Sequence, residues 1–212
     1  MDARRTVPMK TLEILLWLLG AILTGGYALS HHHGQQLGRE GLVSFAQAQQ
    51  IVAAGWAGEP QREGADRPSA PATAHEPAPA DAVIAVLRIP TVGLEVPVYR
   101  GTTEQVLRRG AGLVEGTPAP GSAGNVGIAA HRDTHFRGLR DVVVGDAIEL
   151  DTLNRTLVYR ITDLHVVDPT DVHVLDDTGE TVLTLVTCYP FHFVGSAPQR
   201  YIVRAIVATA LH

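Results

Sequence analysis

The sequence predicts a mainly all-β fold, either a closed barrel or a sandwich, in its carboxyl-terminal part. Short runs of apolar and β-branched residues recur along 82–212, turn-forming residues separate them, and helical spacing is rare there. The 212 residues leave room for one ordinary domain plus extensions. The formal net charge is -5, with nothing basic enough to indicate nucleic-acid binding, so no nucleic-acid partner is expected.

About eight strands are expected from this spacing. Pro97 makes the second of them an edge or bulged strand, because proline cannot donate to a strand ladder. One short helix is predicted at 103–109, with Thr102 or Thr103 as its cap. The individually predicted strands are residues 83–89, 93–99, 125–130, 147–150, 156–167, 182–187 and 201–207.

The amino end carries an apolar run at residues 11–29, with Glu13 as its single charge. About 20 apolar residues cross a bilayer core as a helix. Because basic residues precede the run, the positive-inside rule predicts a cytoplasmic segment 1–10 and an extracytoplasmic remainder. The sequence thus predicts a single-pass anchor in the plasma (inner) membrane. A cleaved signal peptide and a buried core helix are the alternatives.

Two segments separate this run from the β-rich domain at 82–212. Residues 30–56 form a juxtamembrane segment with weak helical spacing, expected either to lie on the membrane, to pack on the domain, or to form a partly helical stalk. Residues 57–81 contain five prolines, seven alanines and no Ile, Leu, Val, Met or aromatic residue, so they predict a linker. The residues near one side of the juxtamembrane segment are Leu37, Gly41, Phe45, Ala48, Val52 and Trp56.

Three residues at the ends of predicted strands suggest a catalytic site. Cys188, the only cysteine, follows the strand at 182–187, and a thiolate there would be a nucleophile. His131 ends an apolar strand and could take the thiol proton or pair with the thiolate. Arg200 opens the last strand with a fixed fork of donors suited to an oxyanion. Each residue taken singly is more often structural, as a free cysteine usually is.

Metal and cofactor binding are not predicted. His131 and His135 are four positions apart, but the zinc-protease signature needs a helix and a glutamate where Arg132 stands. Several carboxylates raise the question of calcium, yet their spacing does not match a calcium loop. These carboxylates are Glu115, Asp163, Asp168 and Asp171.

The three strand-end residues together resemble the sortase family. Its T-L-x-T-C pattern is matched by residues 184–188, His131 lies 57 positions upstream of Cys188, and Arg200 lies on the following strand. Residues 130–134, 187–191 and 194–201 are most similar to class D sortases; these relatives commonly have glycine where this chain has Ala130. The resemblance covers residues 82–212.

The resemblance implies an eight-stranded sortase barrel with short helices. It also implies an extracytoplasmic, membrane-anchored cysteine transpeptidase that cleaves a Leu-Pro-x-Thr-(Ala/Gly) sorting signal on envelope proteins. The acyl group would pass through a thioacyl enzyme to an amine, such as a peptidoglycan stem peptide or another protein. Some relatives bind calcium. Cys188, His131 and Arg200 would be catalytic, and Thr187, Tyr189 and Phe191 would bind substrate.

Two other classes of function fit parts of the sequence. L,D-transpeptidases also use an extracytoplasmic cysteine and histidine, but their Ser-x-Gly-Cys-x-Arg motif does not match the residues around Cys188. A membrane-tethered β-barrel that only binds ligands would tolerate loss of Cys188, so alkylating that thiol distinguishes it from an enzyme. A lipoprotein is excluded because no cysteine follows the apolar amino-terminal run closely.

Overall fold

Eight strands close into a barrel in the order β1-β2-β3-β4-β7-β8-β6-β5 in the computed structural model of the chain. The structure describes residues 9–57, 82–193 and 195–211. The pairs β2/β3 and β4/β7 are parallel, and every other neighbouring pair is antiparallel. The strands are β1 (Ala85–Ile89), β2 (Leu94–Arg100), β3 (Ala111–Leu113), β4 (Asn125–Ala129), β5 (Ala147–Asp151), β6 (Thr156–Val167), β7 (Val182–Tyr189) and β8 (Gln199–Leu211).

The predicted eight-stranded barrel is therefore confirmed, and the sandwich alternative is wrong. One strand, β3, was not among those identified individually. Its three residues include a glycine, and they become a strand only by pairing between β2 and β4. Gly112 is needed there because a Cβ would overlap the carbonyl oxygen of Gly101.

The core of the barrel consists of alternate residues along each strand, because successive side chains on a strand point to opposite faces. On β7 the core residues are Leu183 and Leu185, and on β8 they are Val203 and Ala205. Tyr99 and Tyr159 are the largest fully buried side chains. Burial raises the pKa of Tyr159 to about 12, so its phenol stays protonated at neutral pH.

Short helical elements lie between the barrel strands, among them one α-helix and a five-residue 3₁₀ turn. Helix α2 (Glu104–Arg109) lies between β2 and β3, and its first turn is capped by the Thr103 hydroxyl, which accepts a hydrogen bond from the backbone of Val106. A 3₁₀ turn at Arg137–Asp141 lies between β4 and β5 and buries Leu139. The helix predicted at 103–109 is thus present.

A continuous helix, α1 (Met9–Ala57), precedes the linker and spans the segments predicted as a separate anchor and a juxtamembrane region. The chain divides into two compact units, with the boundary after Leu37. In the first unit, large apolar side chains including Trp17 and Ile22 are exposed. Across the part of the chain that the structure describes, no helix combines the length and apolar character needed to span a membrane, so the predicted anchor at 11–29 is unsupported.

The part of α1 that belongs to the second unit packs on the barrel. Phe45 is 3% exposed, and the Gln49 side-chain amide donates to the carbonyl of Thr152 at 3.1 Å. Gly41 is buried where a Cβ would overlap the Tyr99 hydroxyl. Ala48 is half-buried and Val52 is exposed. The side chains of Leu37 and Trp56, and the predicted linker from residue 58 to 81, lie outside the described residues.

Candidate active site

Cys188 lies in β7, one residue before its end, and is half-buried. Its Cα pairs directly with that of Arg200 on the antiparallel neighbour β8. Directly opposed residues on paired strands place their side chains on the same face of the sheet, with Cβ atoms about 4.5–5.5 Å apart. Strand pairing therefore brings the thiol and the guanidinium group to one side of the sheet.

That side is the outer face of the barrel. Leu183 and Leu185 point into the core, so Thr184, Val186 and Cys188 have the opposite orientation. A nucleophile on the outer face can be reached by a peptide, whereas one among the core residues could not.

His131 follows β4, the other neighbour of β7, by two residues. Ala129 pairs with Val186 in the parallel ladder between these strands. The backbone N–H of Ala130 continues it by donating to the carbonyl of Val186 at 3.3 Å. Continuing the register by two residues, beyond the end of β4, brings His131 level with Cys188 on the neighbouring segment. Cys188 and Arg200 thus lie side by side on β7 and β8, and His131 continues their row just past the end of β4.

A carboxylate faces the histidine. His131 Nε2 lies 3.6 Å from Glu104 Oε2, on α2, and their side chains are 33% and 66% exposed. Surface ion pairs of this kind contribute at most about 1 kcal/mol to stability. Glu104 carries no motif that would identify it from the sequence.

The Arg200 guanidinium hydrogen-bonds to the chain at the start of its own strand and just before it. Its Nη1 donates to the carbonyl of Gln199 at 3.0 Å and to that of Ala197 at 3.4 Å. These bonds tie the guanidinium to the loop between β7 and β8, beside the row that contains Cys188.

The three residues predicted to bind substrate differ in their surroundings. Thr187 is 2% exposed, and its hydroxyl donates to the carbonyl of Ala130 at 2.7 Å, so it joins β7 to the segment leading into His131. Tyr189 and Phe191 pack edge to face, with ring centroids 6.0 Å apart, and both contact Tyr201. Partial burial and the neighbouring Tyr189 raise the pKa of the Tyr201 phenol. The aromatic cluster thus lies at the start of the loop that follows Cys188.

A second loop lies over the outer face of β4. The side-chain amide of Asn125 donates to the carbonyls of Val174 and Asp176 at 3.0 and 3.1 Å, and its oxygen accepts a hydrogen bond from Thr184. Gly127 faces the same loop, because a Cβ there would lie 2.7 Å from a methyl group of Leu175. The loop between β6 and β7 therefore forms a wall beside the row of site residues.

Arg132, next to His131, is a site residue that the sequence motifs did not identify. Its Nη2 donates to the carbonyls of Phe193 at 2.6 Å and Gly195 at 3.2 Å, and its guanidinium carbon lies 5.9 Å from the Phe193 ring centroid. Backbone carbonyls leave no signal in a sequence, so only the structure reveals these partners.

The candidate metal ligands do not converge. Among the described residues no group of three or more His, Cys, Asp or Glu side chains could hold a metal ion. Asp163 pairs with His165 at 2.6 Å, and Asp168 accepts hydrogen bonds from Thr170, which lower the pKa of that carboxyl. Burial lowers the pKa of His135, whose Nε2 lies 3.3 Å from the Arg108 carbonyl oxygen.

Comparison with known proteins identifies the family. A sortase-domain family model matches residues 87–208. Sortase D of Bacillus subtilis is 34% identical over 121 residues, which are 56% of this chain and 60% of that protein. Sortase A of Bacillus anthracis is 31% identical over 125 residues, covering 57% and 58% of the two chains. The chain thus spans less than two thirds of the length of these relatives.

Solved structures agree with the family model. The structure of a Clostridium perfringens sortase D5 transpeptidase is 33% identical, with a TM-score of 0.55 over 60% of this chain and 80% of that one. Listeria monocytogenes sortase A is 27% identical, with a TM-score of 0.57 over 62% and 90%. Because the family model covers more than half of the chain, and the barrel and the Cys188 motif agree with it, this chain belongs to the sortase family.

Proposed function

We propose that this sortase is an extracytoplasmic cysteine transpeptidase that cleaves a Leu-Pro-x-Thr-(Ala/Gly) sorting signal and joins the released acyl group to an amine. The observation that carries the proposal is the pairing of Cys188 with Arg200 on the outer face of β7 and β8, with His131 at the end of the neighbouring strand β4. A nucleophile, a cation and an acid–base group at one level of a sheet suit acyl transfer.

In the first half of the reaction, the Cys188 thiolate attacks the carbonyl carbon of the signal threonine. Arg200 donates hydrogen bonds to the oxyanion that forms, a role suited to a guanidinium that stays charged. The C–N bond then breaks, and protonated His131 gives its proton to the leaving amine. The products are a thioester on Cys188 and a peptide with a free amino terminus.

The second half reverses these roles. An incoming amine attacks the thioester carbonyl, and His131 accepts its proton as the C–S bond breaks. The new amide leaves, and the thiolate and imidazolium are restored. Each step balances without a metal or redox partner.

The partners follow from this chemistry. The acyl donor is an envelope protein with a sorting signal, and the acceptor is an amine of a peptidoglycan stem peptide or of another protein. No lysine follows Lys10, so a lysine of the catalytic domain cannot be the acceptor. Location of the catalytic domain outside the cytoplasm is part of the proposal; membrane attachment through residues 11–29 stays a prediction.

The test incubates the purified full-length chain with a library of threonine-motif peptides and reads acylated Cys188 by mass spectrometry. We expect Cys188→Ala to abolish the thioacyl adduct. Arg200→Ala should reduce turnover by about 10²–10³-fold, as loss of an oxyanion donor does. Peptide cleavage by Cys188→Ala would contradict the mechanism.

His131→Ala tests the acid–base role separately. We expect turnover to fall and its pH profile to lose the limb that histidine controls; a wild-type rate and profile would remove His131 from the mechanism. Alkylation of Cys188 separates the enzyme from a binding module, because only the enzyme would lose its function.

A further inference from the structure

We propose that the loop between β7 and β8 forms one wall of the substrate groove and that Arg132 is a positioning residue that holds this wall in place. This loop, residues 190–198, joins the segment containing Cys188 to the one containing Arg200. Arg132 follows His131 directly in the chain, so its bonds to the loop connect all three segments of the site. The inference rests on the proposed function for its kinetic consequence only.

The contacts fix the middle of the loop. One guanidinium nitrogen, Nη2, donates to two backbone carbonyls, those of Phe193 and Gly195, at 2.6 and 3.2 Å. Charge-assisted bonds of this kind are shorter and stronger than neutral ones. The Phe193 ring lies under the same guanidinium group, where a cation–π contact adds to the attraction.

The chemistry of the contact requires arginine. Two carbonyls on one nitrogen use both of its protons, and the planar guanidinium group holds them in a fixed direction. A lysine at this position retains the charge but presents it as a compact ammonium on a flexible stem. We therefore expect Arg132→Lys to hold the loop in part. Methionine has a similar length but no hydrogen-bond donor, so Arg132→Met should not hold the loop.

If the Arg132 bonds hold the loop, their loss should affect KM more than kcat. With the loop released, strand pairing still holds Cys188 opposite Arg200, and the guanidinium keeps its bond to the Gln199 carbonyl in β8, whereas the groove loses a wall. Loss of these bonds, discounted for partial exposure, should raise KM for a sorting peptide about tenfold in Arg132→Met, with a smaller change in kcat. Arg132→Lys should fall between Arg132→Met and the wild type.

The experiment compares Arg132→Met, Arg132→Lys and Arg137→Met in the full-length chain. Arg137 is exposed in the same segment and serves as the matched control. Amide exchange across 190–198 should be about tenfold faster in Arg132→Met than in the wild type and unchanged in Arg137→Met. If Arg132→Met does not fold, Arg132→Lys provides the same comparison with a smaller expected change.

Unchanged exchange across 190–198 in the folded Arg132 variants would overturn the proposal. So would a reduced unfolding temperature with KM unaltered, since that pattern indicates only a structural role. If the wild type turns over no sorting peptide, the proposed function fails, while the exchange comparison still decides whether Arg132 holds the loop.

Discussion

Thr187→Val tests whether the threonine before the nucleophile joins two strands or binds substrate. Its hydroxyl donates to the Ala130 carbonyl at 2.7 Å, and the side chain is 2% exposed. Valine has nearly the same shape but no donor, so the buried carbonyl would lose this bond. A buried polar group left without its partner costs about 1–3 kcal/mol in free energy of unfolding.

The expected loss in free energy of unfolding can be measured as a shift of the urea unfolding midpoint. For a loss of about 2 kcal/mol and a urea slope of about 2 kcal/mol/M, the unfolding midpoint falls by about 1 M. Both tryptophans lie in α1, so the near-ultraviolet dichroism of the buried tyrosines Tyr99 and Tyr159 is the better signal for the barrel. Thr187→Ser keeps the hydroxyl and is the control, with a midpoint close to that of the wild type.

The kinetic result separates the two roles of Thr187. If the hydroxyl positions the segment leading into His131, Thr187→Val lowers kcat and leaves KM little changed. If the hydroxyl binds substrate, KM rises and the unfolding midpoint stays at the wild-type value. The second outcome would refute the strand-joining argument drawn from the Ala130 contact.

Two further changes test how α1 packs on the barrel. Gly41→Ala places a methyl group against the buried Tyr99 hydroxyl, so we expect the free energy of unfolding in urea to fall by about 1–3 kcal/mol. Gly20→Ala is the control. Gly20 has open space around it, so this change should be neutral or slightly stabilising. Burial lowers the pKa of His135 in the folded protein. As the pH falls below about 6.5, the unfolded state therefore binds a proton at this histidine more readily than the folded state does. The contribution of His135 to the free energy of unfolding should therefore be complete above that pH and decline as the pH falls through the folded-state pKa. If the free energy of unfolding fell with pH equally steeply in the wild type and in His135→Gln, this explanation would be contradicted.

The sequence predicted those parts of the fold that local patterns determine. The strand expected at 156–167 coincides with β6, Thr156–Val167, because this run is rich in β-branched and apolar residues and contains no glycine or proline. Cys188 was expected just beyond its strand but lies inside β7, Val182–Tyr189. The strand extends further because β8 continues to pair with it, and pairing is not visible in one strand alone.

Contacts between distant segments could not be predicted in the same way. The motif identified Cys188, His131 and Arg200 together, but their placement in one row depends on the order β4-β7-β8. The bonds from Arg132 to the loop are with backbone carbonyls 61 and 63 positions away, which any residue could supply.

The alignment of Cys188 with Arg200 is protected by residues that take no part in chemistry. Slipping β8 by one position along β7 would reverse the direction of every side chain on β8. Val203 would leave the core. Arg204, which faces outward opposite Thr184 in the structure, would enter the core in its place. An unpaired buried charge costs several kcal/mol, and exposing a valine costs about 1.5–3 kcal/mol more. Since a domain has only about 5–15 kcal/mol of stability, the slip is excluded, and the alternation along β8 is what keeps the guanidinium beside the thiol.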